Sequence, residues 1–239
     1  MIKITFQIFL LCFCLSLACC KKEEASFSGA KVITNTNMRA GYIDTYTYNS
    51  DGSVSEITRN IGGKTVFSYS GDTVLMQYIS AASVVSSATR YIRQGTYADT
   101  SFGFYQAANN SAKYAYNSDG QLTQQKNYAF GSLSSTSDFT LASKNPVSIT
   151  TTNAGTGTHV YTYYSYGTNS NTIGNQNFGM GFLGVGSLYL PTAQVRLAEN
   201  GDTTAIISYT YHYNGDSNVD TLVTHDRNGF VIDSMAYSY

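Results

Sequence analysis

One phrase is written twice in this chain almost letter for letter. Tyr46-Thr47-Tyr48-Asn49-Ser50-Asp51-Gly52-Ser53-Val54 matches Tyr114-Ala115-Tyr116-Asn117-Ser118-Asp119-Gly120-Gln121-Leu122, and Tyr209-Thr210-Tyr211-His212-Tyr213-Asn214-Gly215-Asp216 is a looser third copy. Partial echoes stand at Phe67 to Asp72 and at Glu199 to Asp202. In Tyr-x-Tyr both rings point to one face of a strand. Asn and Asp then bond the nearby backbone, and glycine accepts positive φ without a steric cost. An apolar residue restarts the chain in the opposite direction. This is the script of a β-hairpin built on a type I turn and a left-handed residue.

Turn signals recur about every ten residues, from Gly52 through Gly95, Gly131 and Gly155 to Gly229, with strand-length runs between them. No long stretch has helical period. The expected fold is all-β: a meandering antiparallel twisted sheet of about thirteen to fifteen strands, curled into an open barrel or a two-layer β roll. A single domain is expected over 31–239. One stretch breaks the rhythm. Residues 169–186 are rich in Gly and Asn and carry Phe178, Met180, Phe182 and Leu183. They read as a plug closing the end of the sheet, as a short helix lying on it, or as a ligand-facing loop.

The N-terminus carries a different message. Lys3 precedes an apolar run from Ile4 to Leu17, then small residues and a cysteine pair, which is the layout of a cleaved signal. The run is too short to span a bilayer comfortably, since that takes about 20 apolar residues. Polar Lys21-Lys22-Glu23-Glu24 follows at once, so residues 1–20 read as a lipoprotein signal with Cys20 as the lipidated residue, or alternatively Cys19. Each buried acyl methylene contributes about 0.8 kcal/mol, so two or three chains make a permanent tether. Residues 21–30 read as a flexible linker. The expected address is the bacterial outer membrane, on its periplasmic or cell-surface face.

All four cysteines (Cys12, Cys14, Cys19, Cys20) lie in that signal. The body therefore has neither disulfides nor thiolate metal ligands and must stand on its own core. A formal charge of −1 excludes the basic footprint that nucleic acid requires. The chain has 21 Tyr and no Trp, so tyrosine must supply most of the aromatic area.

Chemistry is sparse. The three histidines, His159, His212 and His225, show no zinc spacing; His212 and His225 across a hairpin are the one conceivable pair. Asn214, Asp216, Asn218 and Asp220 alternate like the start of a calcium loop but lack its glycine and its terminal glutamate, which favours a turn. Gly179-Met180-Gly181-Phe182-Leu183-Gly184 fits G-x-G-x-x-G without the βαβ setting that gives it meaning. Asp44, Asp51, Glu56, Asp119 and Glu199 are the carboxylates a hydrolase would need, and they mostly read as turn residues. No cofactor is expected.

The tyrosine pairs Tyr46/Tyr48, Tyr114/Tyr116, Tyr161/Tyr163 and Tyr209/Tyr211 remain. They read as a ligand-binding aromatic platform or as the inner face of a curled sheet. Each ring buries about 150–250 Å² and keeps a polar tip. A chain without disulfides needs that area, which favours the core.

The hairpin phrase resembles the hairpins of RHS-type repeat proteins. The order of motifs is closer to a family of Bacteroidota cell-envelope lipoproteins of unknown function. The matching residues are Asn145-Pro146-Val147-Ser148-Ile149, Tyr161-Thr162-Tyr163, Phe182-Leu183-Gly184 and Tyr209 to Tyr213. The last hairpin departs from the family's pattern, with Asn214-Gly215-Asp216 in place of Asp-Gly. That resemblance implies an architecture and an address, and no activity. The functional expectation is a non-enzymatic envelope module that binds a glycan, peptide or protein, held to the membrane by its anchor. The alternatives are a hydrolase acting on envelope or polysaccharide substrates, and an open-barrel carrier of lipid or lipoprotein.

Overall fold

A computed structural model describes residues 30–103 and 109–239. The signal, Cys19, Cys20 and the linker up to residue 29 lie outside these residues. The described chain forms sixteen antiparallel strands in sequence order. The first half holds β1 (Thr34–Asn37), β2 (Tyr42–Tyr48), β3 (Val54–Arg59), β4 (Lys64–Ser70), β5 (Thr73–Ile79), β6 (Val85–Gln94), β7 (Tyr97–Gly103) and β8 (Asn110–Tyr116). The second half holds β9 (Leu122–Ala129), β10 (Ser132–Ala142), β11 (Asn145–Asn153), β12 (His159–Ser170), β13 (Tyr189–Ala198), β14 (Thr203–Tyr213), β15 (Val219–His225) and β16 (Val231–Ser238).

The all-β expectation holds, and the curl goes to completion. Thr34 to Asn37 pair with Ser238 to Met235, so β1 joins β16 and the sheet is a closed barrel. Closure is what removes exposed strand edges. Among the described residues the ladders join every strand to two neighbours and leave none unpaired.

The repeated phrase folds as its chemistry dictates. Asn49 N–H donates to the Ser53 carbonyl and Gly52 N–H to the Asn49 carbonyl, while Asp51 Oδ1 accepts from Ser53 N–H at 2.9 Å. Gly52 takes φ +80°. The same two backbone bonds recur at Asn117–Gln121 and Asn214–Asn218, where the Asn117 and Asn214 Oδ1 atoms accept the side-chain bonds instead of the Asp. In the third copy Ser217, not Gly215, holds the left-handed position, with φ +63°. The ladder slips by one residue just before Tyr48, Tyr116 and Tyr213. Each slip is the bulge that follows from this turn.

Tyrosine hydroxyls lock the ends of the hairpins. Tyr69 donates to the Val54 carbonyl at 2.9 Å, Tyr166 to Pro146 at 2.8 Å, Tyr211 to Pro191 at 2.8 Å and Tyr239 to Val219 at 2.9 Å. Each bond ties the end of one strand to the start of the strand before it. A buried phenol needs such a partner.

The two faces of the wall differ. Inward positions near the end that carries the repeated turns are Tyr46, Tyr48, Val54, Phe67, Tyr69, Val74, Tyr91 and Tyr114; Val54 and Val74 are 0% exposed and Phe67 is 5%. Outward positions are dominated by Thr, Ser and ionised groups. Glu56 pairs with Lys64 at 2.8 Å, Lys113 stands directly opposite Lys126, and Gln124 donates to Asp138 at 2.7 Å.

Candidate functional site

The site is the barrel's interior, and its floor is the segment 171–188 between β12 and β13. This is the stretch that broke the sequence rhythm, and it is the expected plug. Its one regular element is a 3₁₀ turn at Gly181–Leu183. Backbone bonds pin it around the ring. Val32 N–H donates to Asn177 at 3.0 Å, Val54 N–H to Gly179 at 3.1 Å, Val185 N–H to Gly120 at 2.8 Å and Leu188 N–H to Lys144 at 3.2 Å. Thr172 Oγ1 accepts from Val219 N–H at 2.9 Å.

Phe182 drives the plug inward. It is 6% exposed and packs with Val54, Phe67, Val74 and Ala98. Its ring meets Tyr91 edge-on at 5.2 Å and Tyr69 at 6.4 Å. Phe178 reaches Tyr46 at 5.3 Å and Tyr237 at 6.3 Å. The G-x-G-x-x-G look-alike serves this packing. A Cβ on Gly179 would stand 2.6 Å from Val54 N, and one on Gly184 would stand 2.9 Å from the Gly120 carbonyl.

Of the tyrosine pairs singled out in the sequence, Tyr46/Tyr48, Tyr114/Tyr116 and Tyr209/Tyr211 line this lower interior. Burial pushes the Tyr46 phenol up to about 12 and raises those of Tyr48, Tyr116, Tyr209 and Tyr211. Tyr161/Tyr163 lie on the other face. They pair with Thr150 and Ser148 on the outer wall, and Tyr163 is 46% exposed. Tyr164 and Tyr166 take the inward positions instead, with rings 6.4 Å apart and burial raising both phenols. The run Tyr-Thr-Tyr-Tyr-Ser-Tyr carries a period-2 tyrosine pair in either phase, and only the pairing register chooses.

Towards the opposite end the inner wall turns polar. Asn127, Gln125, Ser137, Thr151 and Thr162 occupy inward positions. Inward Arg196, two residues from the open end of β13, is exposed. The most built feature here is Asp44 with Arg59. Two bonds of 2.8 Å join the carboxylate to Nε and Nη2, and the guanidinium lies 3.9 Å over the Tyr42 ring. The Asp44 side chain is 12% exposed and that of Arg59 37%. This ion pair holds the Arg59 guanidinium firmly charged. Asp44 therefore sits on a strand facing the lumen, not at a turn. The missed signal is Tyr42-x-Asp44-x-Tyr46, one period-2 face.

The other sequence candidates do not converge. Asp51 and Asp119 are turn residues, Glu56 is on the outer wall and Glu199 caps a distant hairpin. Hydrogen bonds from Ser53 hold the Asp51 carboxyl below its usual range. Asn214 Oδ1 accepts from Asp216 N–H and Asn218 N–H, so the alternating acids form a turn. His212 and His225 both face outward, opposite Thr221 and Ser208, and do not meet. Among the described residues no three His, Cys, Asp or Glu side chains gather to hold a metal.

Beneath the floor lies a second concavity of about 340 Å³, lined in part by Asp119, Gln121, Lys144, Asn171, Gln176 and Leu188. Lys144 and Asp119 approach to 3.7 Å at its edge.

No protein-family model and no curated protein sequence matches the chain. Solved structures do. A porin-like protein from Bacteroides uniformis ATCC 8492 superposes with a TM-score of 0.63 at 16% identity, covering 89% of this chain and 98% of that one. A porin-like protein from Bacteroides vulgatus ATCC 8482 gives a TM-score of 0.62 at 14% identity, covering 88% and 99%. At such identities the likeness establishes the fold: this chain has the barrel architecture of those porin-like proteins.

Proposed function

We propose that the chain is a lipid-anchored cell-envelope protein whose barrel is a blind, water-filled cup that binds a hydroxyl- and amide-rich ligand, a glycan or an extended peptide. The observation that carries this reading is the polarity of the barrel on both faces. A membrane-spanning barrel needs an outward apolar band about 25 Å tall, and each Lys at the bilayer midplane costs about 2–4 kcal/mol. Here Lys113, Lys126, Asp138 and the Glu56–Lys64 pair face outward, on a wall that also presents Thr47, Thr58, Thr100, Thr136, Ser148 and Thr150. The wall therefore stands in water. The plug closes one end, so a solute that enters by the other does not pass through.

Inside, the wall offers amide and hydroxyl groups over a tyrosine floor, with Arg59 stacked on Tyr42 as a fixed cation. That mixture suits hydroxyls and amides. A lipid carrier would need a dry aliphatic lumen, which Asn127, Gln125 and Thr151 do not supply. A glycoside hydrolase would need two carboxyl groups about 5–9.5 Å apart. The inward acids Asp44 and Asp233 are two strands and four residues apart along the ladders, roughly 16 Å of backbone.

The test is to screen residues 30–239 on glycan and peptide arrays, beside the Tyr42→Ala/Arg59→Ala double variant. Binding that the double variant loses supports the cup. Silence from the wild type, or binding that the variant keeps in full, removes it. Mass spectrometry of the native N-terminus tests the anchor: acyl chains on Cys20 or Cys19 are expected, and an unmodified start contradicts it.

A further inference from the structure

The two ends of the barrel differ in a way the cup does not require. At the plug end the hairpin turns are polar or glycine-based: Asn-Ser-Asp-Gly twice, Gly71-Asp72, Gly95-Thr96, Ser143-Lys144 and Asn-Gly-Asp-Ser. At the open end, side chains that belong in a core stand at the tips. Phe130 is 78% exposed, Phe230 69%, Ile61 67%, Val84 56% and Met38 52%. They sit on separate hairpins, and the described turns of this end without one, 154–158 and 199–202, are neighbours in the ring. The apolar tips therefore gather on the other side of the mouth; the turn at 104–108 lies outside the described residues.

The β9–β10 hairpin is the most costly of them. Phe130 and Gly131 both take positive φ, +50° and +80°. That is a two-residue turn whose first position normally holds Asn or Gly. A bulky residue in left-handed geometry is an outlier. Phe130 thus combines left-handed backbone strain with high exposure at the rim.

The outer wall below continues the pattern in two rows. The ladders align Arg90, Phe102, Ser111, Tyr128 and Leu133 as the first row, and Phe102 and Leu133 are 45% and 42% exposed. The next row aligns Thr100, Lys113, Lys126 and Thr136. Lys113 lies directly opposite Lys126, and neither belongs to an ion pair among the described residues. Like charges directly opposed destabilise a sheet unless an anion meets them. From the rim strand ends to the lysine row is three residues, about 10 Å of strand.

We propose that this side of the rim docks on an anionic lipid surface. Phe130 and the neighbouring tips enter the interfacial layer, Phe102, Tyr128 and Leu133 lie at its polar boundary, and Lys113 and Lys126 meet the phosphates. The sequence of layers, apolar tip, then aromatic row, then cations, follows the order in which a bilayer presents its own groups. The described tips stand on separate hairpins at one end of the barrel, where one surface can meet several of them. This docking surface is made by tip and outward side chains, distinct from the inward wall of the proposed cup, and docking turns the open mouth toward the lipid. It lies at the end opposite the one where Ala30 leads to the proposed anchor, so it is a second, independent attachment.

The experiment is vesicle flotation with residues 30–239, using phosphatidylcholine alone and phosphatidylcholine mixed with phosphatidylglycerol. The wild type is expected to float with the anionic vesicles and to be released by salt. Phe130→Asn suits the left-handed turn and keeps the fold, as its melting curve will show, and should weaken vesicle binding at least about tenfold. Lys113→Ser/Lys126→Ser should abolish the preference for anionic over neutral vesicles. Ile33→Ser, an exposed apolar residue at the opposite end, should leave flotation unchanged. Absence of flotation by the wild type, or undiminished flotation of Phe130→Asn, overturns the proposal. So does a Phe130-dependent dimer in sedimentation with no vesicle binding, which would make a second copy the occupant.

Discussion

Replacing Phe182 by alanine tests whether the plug is the core of this protein. The ring is 6% exposed and touches Tyr91 at 5.2 Å and Tyr69 at 6.4 Å. Truncating a buried Phe costs about 3–5 kcal/mol, transfer and cavity terms together. Each aromatic pair contributes about 0.5–1.5 kcal/mol beyond its area. Water from the lumen can enter the gap, which moves the expected loss toward the lower end, about 3 kcal/mol. For a domain of this size that is a fall in melting temperature of roughly 10 °C. Urea titration followed by circular dichroism reads the free energy. Limited proteolysis reads the plug itself, and new cuts are expected within 171–188. A loss below about 1 kcal/mol with an unchanged digest would refute the reasoning, because the ladder alone would then be holding the barrel together.

Further outcomes follow from the same structure. Gly184→Ala places a methyl group 2.6 Å from the Tyr116 ring at φ +96° and should destabilise by more than about 2 kcal/mol in the same urea assay. Ser217→Gly removes a left-handed serine and should stabilise by about 0.5–1 kcal/mol, read as a rise in the melting curve. Burial raises the phenols of Tyr46 and Tyr69 to about 12, so the unfolded chain gives up these protons first. Their contribution is complete below pH 10, fades as pH rises from 10 to 12 and is gone above. Ultraviolet titration should therefore show tyrosine ionisation delayed until it coincides with unfolding; early, reversible ionisation of the whole set in folded protein would be evidence against burial.

The hairpins were legible because their cause is local. Asn-Ser-Asp-Gly sets its own turn, and the tyrosines before it inherit a common face. The plug was legible as an interruption, since Phe and Met inside a glycine-rich stretch must be covered by something. Other features were hidden, each for a physical reason. Closure joins Thr34 to Ser238, a pairing between the two ends of the domain that leaves no local mark. The expected thirteen to fifteen strands fell short of sixteen for a related reason, since β1, with four residues of Thr and Asn, looks like a loop until it is paired. The facing of Tyr161 and Tyr163 depended on register, because Tyr164 and Tyr166 satisfy the same pattern in the opposite phase. Asp44 looked like a turn residue and became a lumen group only when Arg59 arrived beside it across the ladder. The exposed rim rings carry no period at all, and only their shared end of the barrel reveals them.

The proposed cup stands or falls with a wall wetted on both sides and shut at one end. Sedimentation of residues 30–239 in detergent-free buffer, followed by addition of the same sample to a planar bilayer, bears on that directly. Folded, monodisperse protein that opens no conducting steps is the expected result. Protein that stays folded only in detergent and then conducts ions would mean that the barrel spans the membrane and that the plug does not seal it.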